Sequence, residues 1–78
     1  MPVIYRENGY VFFFYSADRH EKKHVHVRKG DGVTKFWLEP VDLFKSSGFR
    51  PSELREIREI IEENNEHFIE QWDRYFGG

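Results

Sequence analysis

An α+β fold, with a four-stranded antiparallel meander sheet and one long C-terminal helix packed across one face, follows from three observations. Residues 1–40 of the 78-residue chain contain short β-prone runs with alternating or continuous apolar character. Turn-forming residues, Asn8-Gly9 and Gly30 to Gly32, separate those runs. From Pro51 the apolar residues recur at the helical period instead.

Val3 to Arg6 is the first strand, and Asn8-Gly9 supplies the two residues tolerant of positive φ that a two-residue hairpin requires. "YVFFFYS", Tyr10 to Ser16, is a second strand with rings on both faces. Ala17 to Lys23 is polar and reads as a loop. His24 to Arg28 alternates as strand three, and Val33 to Leu38 returns as strand four, with Pro40 expected to stop the ladder. Residues 41–50 are a connection in which Leu43, Phe44 and Phe49 plug the edge of the core. Leu54, Ile57, Ile61, Phe68, Trp72 and Tyr75 then share one arc of a helix running from Pro51 to about Phe76, roughly 39 Å long at ~1.5 Å per residue. Pro51 suits the first helical position and Gly77 the stop. Asn64 interrupts the apolar stripe, which predicts a partly wet overhang or a partner surface. The last turns, with Trp72, Tyr75 and Phe76, are the expected surface for a homo-oligomer if nothing else covers them.

One domain, residues 1–78, is all the core this length supports. Zero cysteines exclude a disulfide framework and thiolate metal ligands. No apolar run approaches the ~18 residues of a membrane span, and Met1 to Gly9 has no signal-like apolar region, so the expected location is cytoplasmic. The net charge of −2 conceals an asymmetry. Residues 1–35 carry seven Lys/Arg against four Asp/Glu, net +3, whereas residues 36–78 carry five against ten, net −5. A face for an anionic ligand therefore belongs to the N-terminal half.

The stretch "HEKKHVHVRKG", residues 20–30, concentrates the chemistry. At the strand period Val25 and Val27 share one face, and His24, His26 and Arg28 share the other. The helix needs the valines, so the opposite face carries His24, His26, Arg28, Lys35, Trp37 and some rings of strand two. Histidines are suited to proton transfer near neutrality, with neighbouring cations stabilising an anionic transition state. This makes His24, His26 and His20 the candidate catalytic residues, and Arg28, Lys35, Trp37, Lys22 and Lys23 the candidate ligand-binding residues. Basic side chains interleaved with rings suit single-stranded RNA, where bases stack and phosphates are neutralised. The acidic whole disfavours nonspecific duplex binding. Two alternatives are a noncatalytic protein-interaction surface and a His-based divalent-metal binder, in which Asp18 or Glu21 adds oxygen to the histidines. Crowding by Lys22, Lys23, Arg28 and Lys29 opposes a dication, so the sequence assigns no metal and no cofactor. His67, four residues after Glu63, reads as a solvated helix pair.

The chain also resembles a family. Phe13-Phe14-Tyr15, His24 to Val27, Lys35 to Leu38, Glu53 to Ile57 and the ending Trp72, Tyr75, Phe76 are together similar to the small bacterial domain of unknown function numbered 4160. The resemblance implies a second small gene beside this one, in an arrangement similar to toxin and antitoxin pairs, and hence a cognate small partner protein. It implies no reaction. Lys22-Lys23 stands where that family often has Pro-Pro, which makes the loop more basic. The resulting expectation is a toxin-like module that binds or cleaves RNA.

Overall fold

The structure, a computed structural model, describes residues 2–77. Five strands form one antiparallel sheet in sequential order: β1 (Val3–Glu7), β2 (Tyr10–Phe13), β3 (His24–Lys29), β4 (Gly32–Leu38) and β5 (Val41–Ser47). Two helices follow, α1 (Pro51–Glu63) and α2 (Asn65–Phe76). The α+β class and the meander agree with the sequence, but the counts of four strands and one helix do not.

Asn8 and Gly9, at φ 53° and 84°, close the β1–β2 hairpin as their residue types require. The extra strand is β5, placed by sequence reasoning in a connection. Glu39 and Pro40 do not stop the ladder; they turn it, so that Leu38 pairs with Val41. Half-buried Val41 and Leu43 pack against the core. Lys35 pairs with Lys45 and Phe36 with Leu43, leaving Phe44 as a bulge that breaks the strand's alternation. Beyond it the strand is held by backbone pairing rather than by apolar side chains.

A straight helix of roughly 39 Å at ~1.5 Å per residue would exceed the molecule's longest dimension, 34 Å. The chain instead leaves helical geometry at Asn64 (φ −115°, ψ 18°), whose Nδ2 donates to the Ile60 carbonyl at 2.8 Å. Asn65 then donates to the Leu38 carbonyl at 2.9 Å, tying the start of α2 to the end of β4. The interruption of the apolar stripe is thus a hydrogen-bonded break between two helices. At the start of α1, the Arg50 amide donates to Glu53 Oε1 at 2.8 Å, the backbone half of a capping box.

The core lies between the sheet and the helices. Tyr10, Phe12, Phe14, Val25, Val27, Phe36 and Leu38 meet Ile57, Ile60, Ile61, Phe68 and Trp72. Each fully buried large apolar side chain contributes about 1.5–3 kcal/mol relative to exposure. Trp72 is 4% exposed and belongs to this core, as its place on the apolar arc predicts, so it is not part of an uncovered helix end. Tyr75, at 42%, does remain exposed.

Candidate functional site

Alternation along β3 sorts its side chains as expected: Val25 and Val27 enter the helix-side core, while His24 and His26 take the opposite face. That second face is covered rather than open. A 3₁₀ turn at Ser16–His20 follows β2 and lowers Asp18, 6% exposed, onto the two imidazoles. The Tyr15 amide donates to Asp18 Oδ2 at 2.9 Å and fixes the carboxylate. His26 Nε2 stands 3.0 Å from the same oxygen and donates to it, because a carboxylate only accepts.

His24 is fully buried. Its Nδ1 lies 2.7 Å from the Lys22 carbonyl, which only accepts, so the ring proton sits on Nδ1. Its Nε2 faces Asp18 Oδ2 at 3.1 Å without an aligned hydrogen bond, and has no other partner among the described residues. Trp37 lies against His24 at 5.6 Å between ring centroids and Trp72 at 5.1 Å. Trp72 also touches Phe14, so it rounds the sheet's end and closes both faces.

His26 is the half-buried member. It stacks on Phe13 (5.5 Å, 22°) and meets the edge of Tyr15 at 4.6 Å. Burial pushes its pKa below the ordinary 6.5; the Asp18 carboxylate opposes that shift, and His24 adds to it. Phe13 pairs with His26, His26 with Lys35 and Lys35 with Lys45, forming one row across four strands. Beside this row a groove of about 370 Å³ is lined by Phe13, Tyr15, His26, Lys45, Ser46 and Ser47 among others. Trp37 and Trp72, the covers of His24, line a second groove of about 610 Å³ with Lys22 and Lys23.

The other residues singled out from the sequence are dispersed. His20 is exposed and outside the group of ligand-type side chains that converge, which is Asp18, His24 and His26. Lys35 is 7% exposed and bonded to Glu21 at 2.6 Å, with its ammonium 5.0 Å from the Trp37 ring and 4.9 Å from Phe44. That hydrogen bond holds the Glu21 carboxyl below its ordinary range. Lys23 pairs with Asp73 at 2.9 Å and Glu39 at 3.8 Å, and Asp73 chiefly raises its pKa. Lys22 is exposed. The Arg28 guanidinium is half-buried, 5.4 Å from the Phe13 ring.

Sequence reasoning left Lys45 out of the site, counted Tyr15 only among the strand-two rings of undecided face, and weighed Asp18 only as an oxygen donor for a metal. A carboxylate three residues after Tyr15 was the available signal for Asp18, since a short acid can accept the amide of a turn's first residue. Lys45 carried no signal while β5 was read as a connection.

The family model described as "Domain of unknown function (DUF4160)" matches residues 9–73. No curated protein and no solved structure matches the chain.

Proposed function

The chain belongs to the DUF4160 family, and we propose that its activity is to bind single-stranded RNA in the groove beside His26. The module would act there on the RNA backbone as the toxin-like member of a two-gene pair with a cognate partner protein. The observation that carries this reading is the groove's composition. An exposed ring (Tyr15), a flanking cation (Lys45) and an imidazole backed by a buried carboxylate (His26 with Asp18) line one concave surface. Arg28 flanks it through Phe13. Rings of this kind stack with any base, cations neutralise phosphates, and a histidine held by a carboxylate is a reactive group presented to the backbone.

The test is anisotropy of labelled single-stranded oligoribonucleotides across a range of salt concentrations. Tyr15→Ala should weaken binding by about 1–3 kcal/mol with the salt slope unchanged. Arg28→Ala with Lys45→Ala should flatten the slope by about 0.7 for each phosphate that is no longer neutralised. Lys35→Met should leave the slope as it is, because Glu21 already neutralises that ammonium. His26→Gln should spare binding and abolish RNA cleavage or growth arrest. Wild-type protein without salt-dependent RNA affinity would overturn the reading, and release of a copurifying protein by these same substitutions would favour the interaction-domain alternative.

A further inference from the structure

We propose that Asp18, His24 and His26 form a binding site for one divalent first-row transition ion. The inference deepens the RNA-binding reading without depending on it, because the ion alone is the probe.

Three observations converge. The first is the orphaned nitrogen. Lys22 O commits one proton of His24 to Nδ1, and the buried Nε2 faces Asp18 Oδ2, 3.1 Å away, without an aligned hydrogen bond. A lone pair on Nε2 and the carboxylate oxygen would repel one another there unless a proton or a cation stands between them. A second proton on His24 would serve that one contact. A dication serves the whole cluster, because His26 Nε2 converges on the same oxygen at 3.0 Å; on metal binding the proton that Nε2 donates to Asp18 is displaced, leaving the ring as its Nδ1 tautomer.

The second observation is metric. Two donors bound about 2.1 Å from a common ion, at tetrahedral or octahedral angles, stand roughly 3.0–3.4 Å apart. The two nitrogens lie 3.1 and 3.0 Å from the carboxylate oxygen, and the three donor atoms all fall within 4.8 Å of one another. The ligands are also held from behind, Asp18 by the Tyr15 amide and His24 by the Lys22 carbonyl, as outer partners of metal ligands commonly are.

The third weakens the objection raised by the sequence, that cations crowd the site, since every cation named there but the exposed Lys22 is occupied elsewhere. Lys23 is drawn off by Asp73 and Glu39, and Lys35 is neutralised by Glu21. Arg28 lies over Phe13, and the Lys29 ammonium lies 4.7 Å from the Tyr10 ring. Two imidazoles and one carboxylate favour zinc, cobalt, iron or manganese over the all-oxygen preference of calcium. Three protein ligands leave coordination positions open, and His26, the half-buried ligand, also lines the groove. His26 would then serve as a ligand rather than as the proton carrier expected from the sequence.

The experiment titrates Zn²⁺ and Co²⁺ into chelator-treated full-length protein without RNA, following heat of binding, melting temperature and the visible spectrum of Co²⁺. Binding of one ion per chain is expected, with a rise in melting temperature of about 10 °C or more at a hundredfold excess over Kd, and nitrogen-ligated Co²⁺ bands. Asp18→Asn and His26→Gln should each weaken binding by at least about tenfold, while His20→Gln, outside the cluster, should bind as wild type does. His26 is half-buried, so its variant keeps the test open if changes at His24 unfold the domain. No shift in wild type, equal shifts in the Asp18 and His26 variants, or equal loss in the His20 variant would each overturn the site. Metal binding without RNA affinity would sustain the ion and sink the RNA reading, and RNA affinity without metal binding would do the reverse.

Discussion

The two faces of the sheet are both covered, by opposite means. Two helices bury one face under Ile57, Ile60, Ile61, Phe68 and Trp72, and its hydrogen bonds to the helices, such as Tyr10 to Glu56 and Asn65 to Leu38, lie beside that apolar layer. A single 3₁₀ turn and a few rings cover the other, where Asp18, His24 and Lys35 are buried. Desolvating such groups is costly unless each is paired, so the first face reads as the source of stability and the second as the place where stability is spent on geometry.

Trp72 breaks the comparison most severely, because it belongs to both faces. Trp72→Ala should cost about 3–5 kcal/mol, much of a small domain's stability, and expose His24 at the same time. Urea unfolding of the variant measures this. Near-wild-type stability with loss of self-association would instead make the α2 end an interface.

A smaller effect sharpens the helix side. Burial, aided by the hydrogen bond to Glu56, pushes the Tyr10 hydroxyl up to about 12 from its ordinary 10. The folded state therefore favours the protonated phenol. That contribution is complete below pH 10 and is lost as pH rises from about 10 through about 12. Wild type should lose on the order of 2 kcal/mol over that window relative to Tyr10→Phe, whose phenyl ring does not titrate. Parallel pH profiles for the two proteins would show that the phenol is not held in this way.

What was legible in the sequence follows the same division. The helix-side face announced itself through period: Val25, Val27, Phe36, Leu38, Ile57, Ile61 and Phe68 all lie where alternation or helical spacing puts them. β5 escaped because the Phe44 bulge spoils its alternation and Pro40 resembles a terminator although it serves in a turn. The helix break at Asn64 showed only as a polar residue in an apolar stripe, since what decides it is the fit to the sheet below. On the site face, periodicity grouped His24, His26, Arg28, Lys35 and Trp37, but it carried nothing about pairing. Lys35 counts as a free cation in sequence and as half of an ion pair with Glu21 in three dimensions. Asp18 sat in a segment read as loop, and only the turn's geometry brings it within 3.1 Å of both imidazoles.

The turn-covered face is organised around Asp18 and a buried His24 whose Nε2 has no aligned hydrogen bond, and the proposed metal site depends on that arrangement. Long-range proton–nitrogen correlation spectra of the chelator-treated protein test it most directly. The expected result is a neutral His24 ring with its proton on Nδ1, slow to exchange because it is buried and bonded to the Lys22 carbonyl, and an Nε2 resonance that moves when one equivalent of Zn²⁺ is added. A His24 ring protonated on Nε2, or one whose proton exchanges freely with water, would contradict it.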